Sequence, residues 1–220
     1  MVSVELKNGI VKEFENGTTV ADVAKSLGGG IYKNACVCKV NGEIKDLRTV
    51  LDNDQKYTVE ILSFDNPEGK KAFWHTASHI LAQAVKRLYP QAKIAIGPAI
   101  DNGFYYDFEV ENPFSAEDLQ NIEKEIKAIV KSGIAIERFE LAPEEAVKML
   151  EDMGEPYKVE LAKEHADKGE PISFYKQGDF TDLCAGPHLM SVSTVKAVKL
   201  LNCTGAYWRG DSNNQQLCRV

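Results

Sequence analysis

The sequence predicts an α+β protein in two parts, and three observations point that way. Turn signals at Asn8-Gly9, Asn41-Gly42 and Asp101-Asn102-Gly103 separate short stretches that alternate like strands. Other stretches carry apolar residues at helical spacing, the longest from about Pro67 to Leu88. Between the two parts, Ser63-Phe64-Asp65-Asn66-Pro67-Glu68-Gly69 shifts the composition and holds the chain's first proline. With 220 residues, 44% apolar and 27% charged, the chain is long enough for one large or two modest cores.

In the first part, Val4 to Leu6 and Val11 to Phe14 flank Asn8-Gly9, whose preference for positive φ suits a hairpin. Thr18-Thr19 offers an N-cap, and Val20, Val23, Ala24 and Leu27 follow at helical spacing until Gly28-Gly29-Gly30 stops the helix. Ala35 to Val40 reads as a strand, Asp46 to Leu51 as a connection and Tyr57 to Leu62 as the last strand. Hairpin, helix, strand, strand is the order of a β-grasp (ubiquitin-like) domain, placed at residues 1–62.

The second part, residues 63–220, opens with the long helix, where Phe73, Ala77, Ile80, Leu81, Ala84 and Leu88 form one apolar stripe. Lys93 to Ile96 and Phe104 to Val110 read as paired strands around the Asp101 turn. Ser115 caps a helix with early acids, and a strand from Ile134 to Leu141 follows. Helices are expected from Pro143 to Met153 and near Val159 to His165, then strands near Ile172 to Tyr175 and Val195 to Cys203. The sheet should be mostly antiparallel.

No run of about 18 apolar residues is present, so no membrane helix is expected, and no signal peptide is visible. Five cysteines, an odd and uneven set, fit reduced thiols in a cytoplasmic protein. The formal charge of −7 excludes a chain-wide electrostatic grip on nucleic acid and leaves only local basic sets, Lys70-Lys71, Lys86-Arg87 and Lys196/Lys199. No glycine-rich phosphate loop occurs, so neither nucleotide hydrolysis nor hydride transfer is supported.

Three of the four histidines fall in two short patterns. His75 and His79 lie one turn apart on one helical face, roughly opposite the apolar stripe, among the small residues Ala72, Thr76, Ser78 and Ala82. A solvated polar face is the plain alternative to a site, and small neighbours would leave room for a ligand. Cys184 and His188 flank Gly186-Pro187, which forbids regular helix and suggests a tight turn presenting both side chains. Together the four residues suit either a tetrahedral zinc site or a thiol/imidazole hydrolytic cleft, and spacing does not separate the two. Cys36, Cys38, Cys203 and Cys218 read as structural, and His165, in a charged helix, as solvated.

The blocks His75-x3-His79, Ile96-Gly97-Pro98, Asp101 to Asp107, Phe180-Thr181-Asp182-Leu183-Cys184-x-Gly186-Pro187-His188 and Gly205 to Asn214 resemble the N-terminal half of bacterial threonyl-tRNA synthetases. The resemblance covers essentially the whole chain: a TGS domain, then an editing domain also similar to that of alanyl-tRNA synthetases. It implies hydrolysis of mischarged seryl-tRNA(Thr) at the aminoacyl ester. The physical need is clear, because one missing methyl discriminates by only about 1–3 kcal/mol, roughly 10- to 200-fold. By the same resemblance His75 and His79 handle the attacking water, and Lys158 stabilises developing negative charge. Cys184 and His188 hold the amino group and ribose, while Tyr106 and Asp182 orient partners and the terminal adenosine.

No cofactor is expected to be required for editing, with zinc on His75, His79, Cys184 and His188 as the rival. The expected partner is the acceptor end of tRNA(Thr). Full-length relatives are homodimers, which leaves a monomer open for this chain. They continue past Val220 into the core that holds ATP and a zinc of its own, so this chain is expected not to aminoacylate. Ala185 stands where family members often carry Arg. Two other classes stay open from the residues alone: a non-catalytic RNA-binding module using the local basic sets, and a zinc hydrolase of other esters or amides.

Overall fold

Val2, Val4 and Leu6 alternate inward along β1 (Val2–Leu6), and Asn8-Gly9 returns the chain into β2 (Val11–Phe14) in antiparallel register. After β3 (Thr18–Thr19), Thr19 and Asp22 form a reciprocal capping box that starts α1 (Val20–Leu27). Gly28 ends it at positive φ, but the glycines then open a short α2 (Gly29–Asn34) that the sequence reading did not foresee. β4 (Ala35–Val40) and β5 (Glu43–Lys45) form a hairpin across Asn41-Gly42. β6 (Val50–Leu51) pairs with β3, and β7 (Lys56–Ser63) runs parallel to β1 and antiparallel to β4. The five-stranded order β2-β1-β7-β4-β5 with a helix across it is the expected β-grasp. Its core is Val2, Val4, Val20, Val23, Cys38, Leu47, Leu51 and Val59. Cys38 belongs to that core and Cys36 is also buried, and burial pushes their thiols up to about 12 and about 11 respectively.

The computed structural model describes residues 1–169 and 172–220 and falls into two compact units. The first holds Met1–Phe73 and, from much later in the chain, Gly186–Met190; the second holds Trp74–Ala185 and Ser191–Val220. By packing, the first unit thus runs past the sheet and into the start of the long helix α3 (Pro67–Leu88).

In the second unit β8 (Lys93–Ile94) precedes the ribbon of β9 (Ala99–Ile100) and β10 (Gly103–Phe104). The Asp101-Asn102-Gly103 turn therefore closes this small ribbon, while β8 pairs with β11 (Asp107–Glu109) beyond it. α4 (Ala116–Ser132) begins at a Ser115/Asp118 capping box and ends at Gly133 in the left-handed region. There follow β12 (Ile136–Leu141), α5 (Pro143–Asp152), α6 (Pro156–Asp167), β13 (Ile172–Gln177) and β14 (Phe180–Leu183). β12-β13-β14 is an antiparallel sheet, and β15 (Thr204–Tyr207) and β16 (Gln216–Arg219) complete another in the order β15-β16-β11-β8. The unit is α+β with antiparallel pairing, as expected.

Two expectations fail. The strand read at 195–203 is not formed, because that segment finds no ladder partner among the described residues; the strand begins at Thr204 instead. The thiols are not all reduced: Cys203 is disulfide-bonded to Cys218, whereas Cys36, Cys38 and Cys184 remain thiols. Pairing of Gly205 with Cys218 across β15 and β16 carries Cys203 to its partner.

Candidate active site

The histidine face of α3 is not a solvated surface. Thr76, Ser78 and Ala82 are fully buried, His79 is 3% exposed and Gln83 is 1% exposed, so from Thr76 to Val85 the helix is enclosed on all sides. The small residues are accordingly packed and do not line an open pocket, contrary to expectation. Each polar group on this face has a partner. Ser78 Oγ donates to the carbonyls of His75 and Gly97, at 2.8 and 2.6 Å. Gln177 Nε2 donates to His79 O and to Gln83 Oε1, and Gln83 Nε2 returns a bond to Gln177 O. These bonds fix the turn of α3 that carries both imidazoles.

Two linked sets of side chains surround that turn. In the first, His75 Nε2 lies 3.4 Å from Cys184 Sγ, and the His75 and His79 rings meet edge-on with centroids 5.1 Å apart. In the second, Tyr106 Oη donates to Asp182 Oδ2 at 2.6 Å, and Lys158 Nζ lies 2.7 Å from Asp182 Oδ1. His79 Nε2, 3.5 Å from Asp182 Oδ2, joins the two sets. β14 positions two members, since strand alternation buries Phe180 and Asp182 and leaves Cys184 at its end. Tyr106 is reached just before β11, and its ring stacks on Phe108.

Gly97 makes that position possible, because a Cβ there would fall 2.1 Å from the Tyr106 ring. Gly97→Ala is therefore expected to push Tyr106 off Asp182 and cost about 1–3 kcal/mol, read as a lower midpoint in chemical denaturation. An unchanged midpoint would show that the ring moves at no cost.

α6 carries Lys158 and is braced at both ends. Glu155, 1% exposed, accepts from Ile94 N at 2.8 Å and pairs with Lys86 at 2.7 Å. Further along, Trp208 packs on Tyr157 and donates Nε1 to Glu160, and Arg209 pairs with Glu160 and Glu164. The Tyr207-Trp208-Arg209 block thus acts on the site by seating the helix that delivers Lys158.

The electrostatics follow from burial. His79 is pushed down to about 3, first by burial and then by His75 and Lys158, against the pull of Asp182. Burial would raise the Asp182 carboxyl, but Lys158 and then His79 hold it below the usual carboxylate range. Tyr106 is raised well above its ordinary value, by burial and by Asp182. A buried neutral histidine has a consequence for acid stability. Its depressed folded value means that the unfolded chain binds the extra proton first. Stability is therefore complete above about pH 6.5 and falls as pH drops from there toward 3, by at most about 1.4 kcal/mol per pH unit. Denaturant melts between pH 7 and 4 should show that slope, reduced in His79→Gln.

His188 is buried but packs in the first unit, where its backbone N–H faces Asp46 Oδ2 at 3.4 Å. Of the seven expected site residues, the structure brings His75, His79, Tyr106, Lys158, Asp182 and Cys184 together within the second unit. Sequence reasoning missed the residues around a cavity of about 270 Å³ beside Cys184, lined by Arg138, Glu140, His165, Ser173, Leu183 and Ala185. His165 was expected to be merely solvated. Nothing in its spacing links it to Cys184. Of the local basic sets, Lys86, Arg87 and Lys199 are engaged by Glu155, by Glu125 and Asp179, and by Glu123. Their charge is largely answered within the fold.

A metal is a fair test of the donor set. His75, His79 and Cys184 each offer a donor atom, all within 4.8 Å of one another. The 3.4 Å between His75 Nε2 and Cys184 Sγ matches the edge of a tetrahedral zinc site, ~3.5 Å for ordinary Zn–N and Zn–S lengths. The group fits zinc in kind, and the wider spacings would have to contract.

Comparison with known proteins gives this arrangement a family. Residues 2–63 match the TGS domain, and residues 172–220 match the threonyl and alanyl tRNA synthetase second additional domain. The fold and these matches thus define a β-grasp module followed by a domain of the kind found in threonyl and alanyl tRNA synthetases. Threonine–tRNA ligases of Acetivibrio thermocellus and Clostridium tetani are each 56% identical over all 220 residues, which cover 34% of each relative. That of Caldanaerobacter subterraneus is 54% identical over 217 residues, or 33% of its length. The chain thus carries a TGS domain and an editing-type domain, and it spans about a third of the length of the threonine–tRNA ligases it matches. Among the described residues, no helix is long and apolar enough to cross a membrane.

Proposed function

We propose that this chain hydrolyses the ester of seryl-tRNA(Thr), leaving threonyl-tRNA(Thr) intact, in the cytoplasm. The observation that carries the reading is the junction of the His75/Cys184 pair with the buried Lys158–Asp182–Tyr106 network through His79. Water attacks the ester carbonyl carbon, the bond from that carbon to the ribose oxygen breaks, and the ribose oxygen takes up a proton. Free serine and tRNA leave.

The two histidines divide the work. His79, neutral and too weakly basic to take the proton, orients the water as a hydrogen-bond partner. His75, half-buried and beside Cys184, is the proton acceptor. Lys158 is ion-paired with Asp182, and its ammonium field steadies the tetrahedral oxyanion. Asp182 and Tyr106 lock that lysine and His79 in place. Cys184 and His188, separated by Ala185-Gly186-Pro187, hold the amino group and ribose. The cavity beside Cys184 takes the terminal adenosine.

Zinc bound by His75, His79 and Cys184 would supply Lewis-acid polarisation of the carbonyl or of water. The 3.4 Å His75–Cys184 approach favours keeping this second reading. Equilibrium dialysis with zinc, on the intact chain and on Cys184→Ala, tests it apart from activity. The deciding experiment for the function is deacylation of seryl- against threonyl-tRNA(Thr), with and without chelator. Loss of serine alone supports the proposal, and activity lost to chelator and restored by zinc supports the metal form. Hydrolysis of neither, with tRNA binding verified, makes the chain a binding module.

A further inference from the structure

Asp46-Leu47-Arg48 follows β5 and shows no motif in the sequence. Leu47 is fully buried in the β-grasp core, while its two charged neighbours meet the Gly186–Met190 segment that packs in the same unit. Arg48 Nη1 donates to Asp46 Oδ1 and Oδ2 at 2.8 and 3.0 Å and to His188 O at 3.3 Å. Its Nη2 donates to Leu189 O at 2.9 Å, and His188 N donates to Asp46 Oδ2 at 3.4 Å. The ion pair is well covered, with side chains 17% and 10% exposed, and Met190 is packed against the core.

This segment lies outside any ladder, so its buried carbonyls need side-chain donors. A guanidinium can serve one carboxylate and two successive carbonyls at once, because its donors are fixed in a planar fork; an ammonium offers a single point. The bonds hold the peptide groups on both sides of the His188 Cα. We infer that Asp46 and Arg48, which pack with it in the same unit, are positioning residues for His188 in the proposed ester hydrolysis. The inference rests on the hydrolytic function proposed above.

The test uses the full 220-residue chain and seryl-tRNA(Thr), with Arg48→Ala, Arg48→Lys, His188→Ala and the Arg48→Ala/His188→Ala pair. Arg48→Ala should lower kcat about 10- to 100-fold with KM within about twofold, as expected for a misplaced group. Arg48→Lys should recover little of it. Added guanidinium should restore Arg48→Ala and leave His188→Ala unchanged. On the His188→Ala background, Arg48→Ala should cost less than about twofold more, since both act through one group.

Hydrogen exchange supplies the check on folding: only amides near His188 to Met190 should quicken in Arg48→Ala. Full kcat in Arg48→Ala, or losses that multiply in the double variant, would overturn the inference while leaving the hydrolytic function standing. A parent chain inert toward the ester would sink both.

Discussion

Lys158→Ala is expected to lower the stability of the second unit by about 3–5 kcal/mol, because it strands a buried carboxylate. Lys158 is 4% exposed and Asp182 is fully buried on the side-chain measure, with 2.7 Å between Nζ and Oδ1. With the lysine gone, Asp182 keeps the Tyr106 hydroxyl and a neutral His79, which do not balance a charge taken out of water. Its carboxyl would then rise toward protonation, reversing the present depression. The melting midpoint should fall on the order of 10 °C. Replacing both partners, Lys158→Met with Asp182→Leu, should recover much of the loss, since an apolar pair of similar volume removes the stranded charge. Deacylation should stay absent in the stabilised double variant. A single variant as stable as the parent would show that solvent reaches Asp182 after all.

That pair also shows where sequence reading stops. The helix from Pro67 to Leu88 was legible to the residue, since a proline suits the first turn and the apolar stripe runs unbroken. So were the capping boxes at Thr19 and Ser115, which are local chemistry. His75 and His79 were legible as a pair for the same reason. Their burial was not, because Ser78 and Gln83 look like a wet surface until Gly97 and Gln177 arrive from distant positions to bond them.

The segment at 195–203 has the apolar content of a strand in Val195, Val198, Leu200 and Leu201, yet a strand exists only where a neighbour pairs with it. β14 went unread because Gly186-Pro187 pointed to a turn two residues beyond it. Lys158 and Asp182 sit 24 positions apart with no periodic relation, so their roles came from family resemblance and their contact only from the fold.

His75→Ala should carry the largest catalytic effect, a loss of seryl-tRNA(Thr) deacylation of about 10²–10⁴-fold, the range for removing a general base. The side chain is half-buried beside Cys184, and the 2.7 Å ion pair of Lys158 with Asp182 is made without it, so its removal leaves that pair intact. The midpoint of denaturation should move little. His79→Ala should differ on both counts: it opens a cavity beside Tyr106 and Phe180 and unseats Asp182, so activity and stability fall together. The pH dependence separates the two roles. If His75 takes the proton, the parent rate should rise with pH through one inflection and then level off, as the base loses its own proton. The residual rate of His75→Ala should lack that inflection, and that of His79→Gln should keep it. An inflection that survives His75→Ala and vanishes with His79→Gln would exchange the assignments. Full activity in both variants would remove histidine catalysis from this domain altogether.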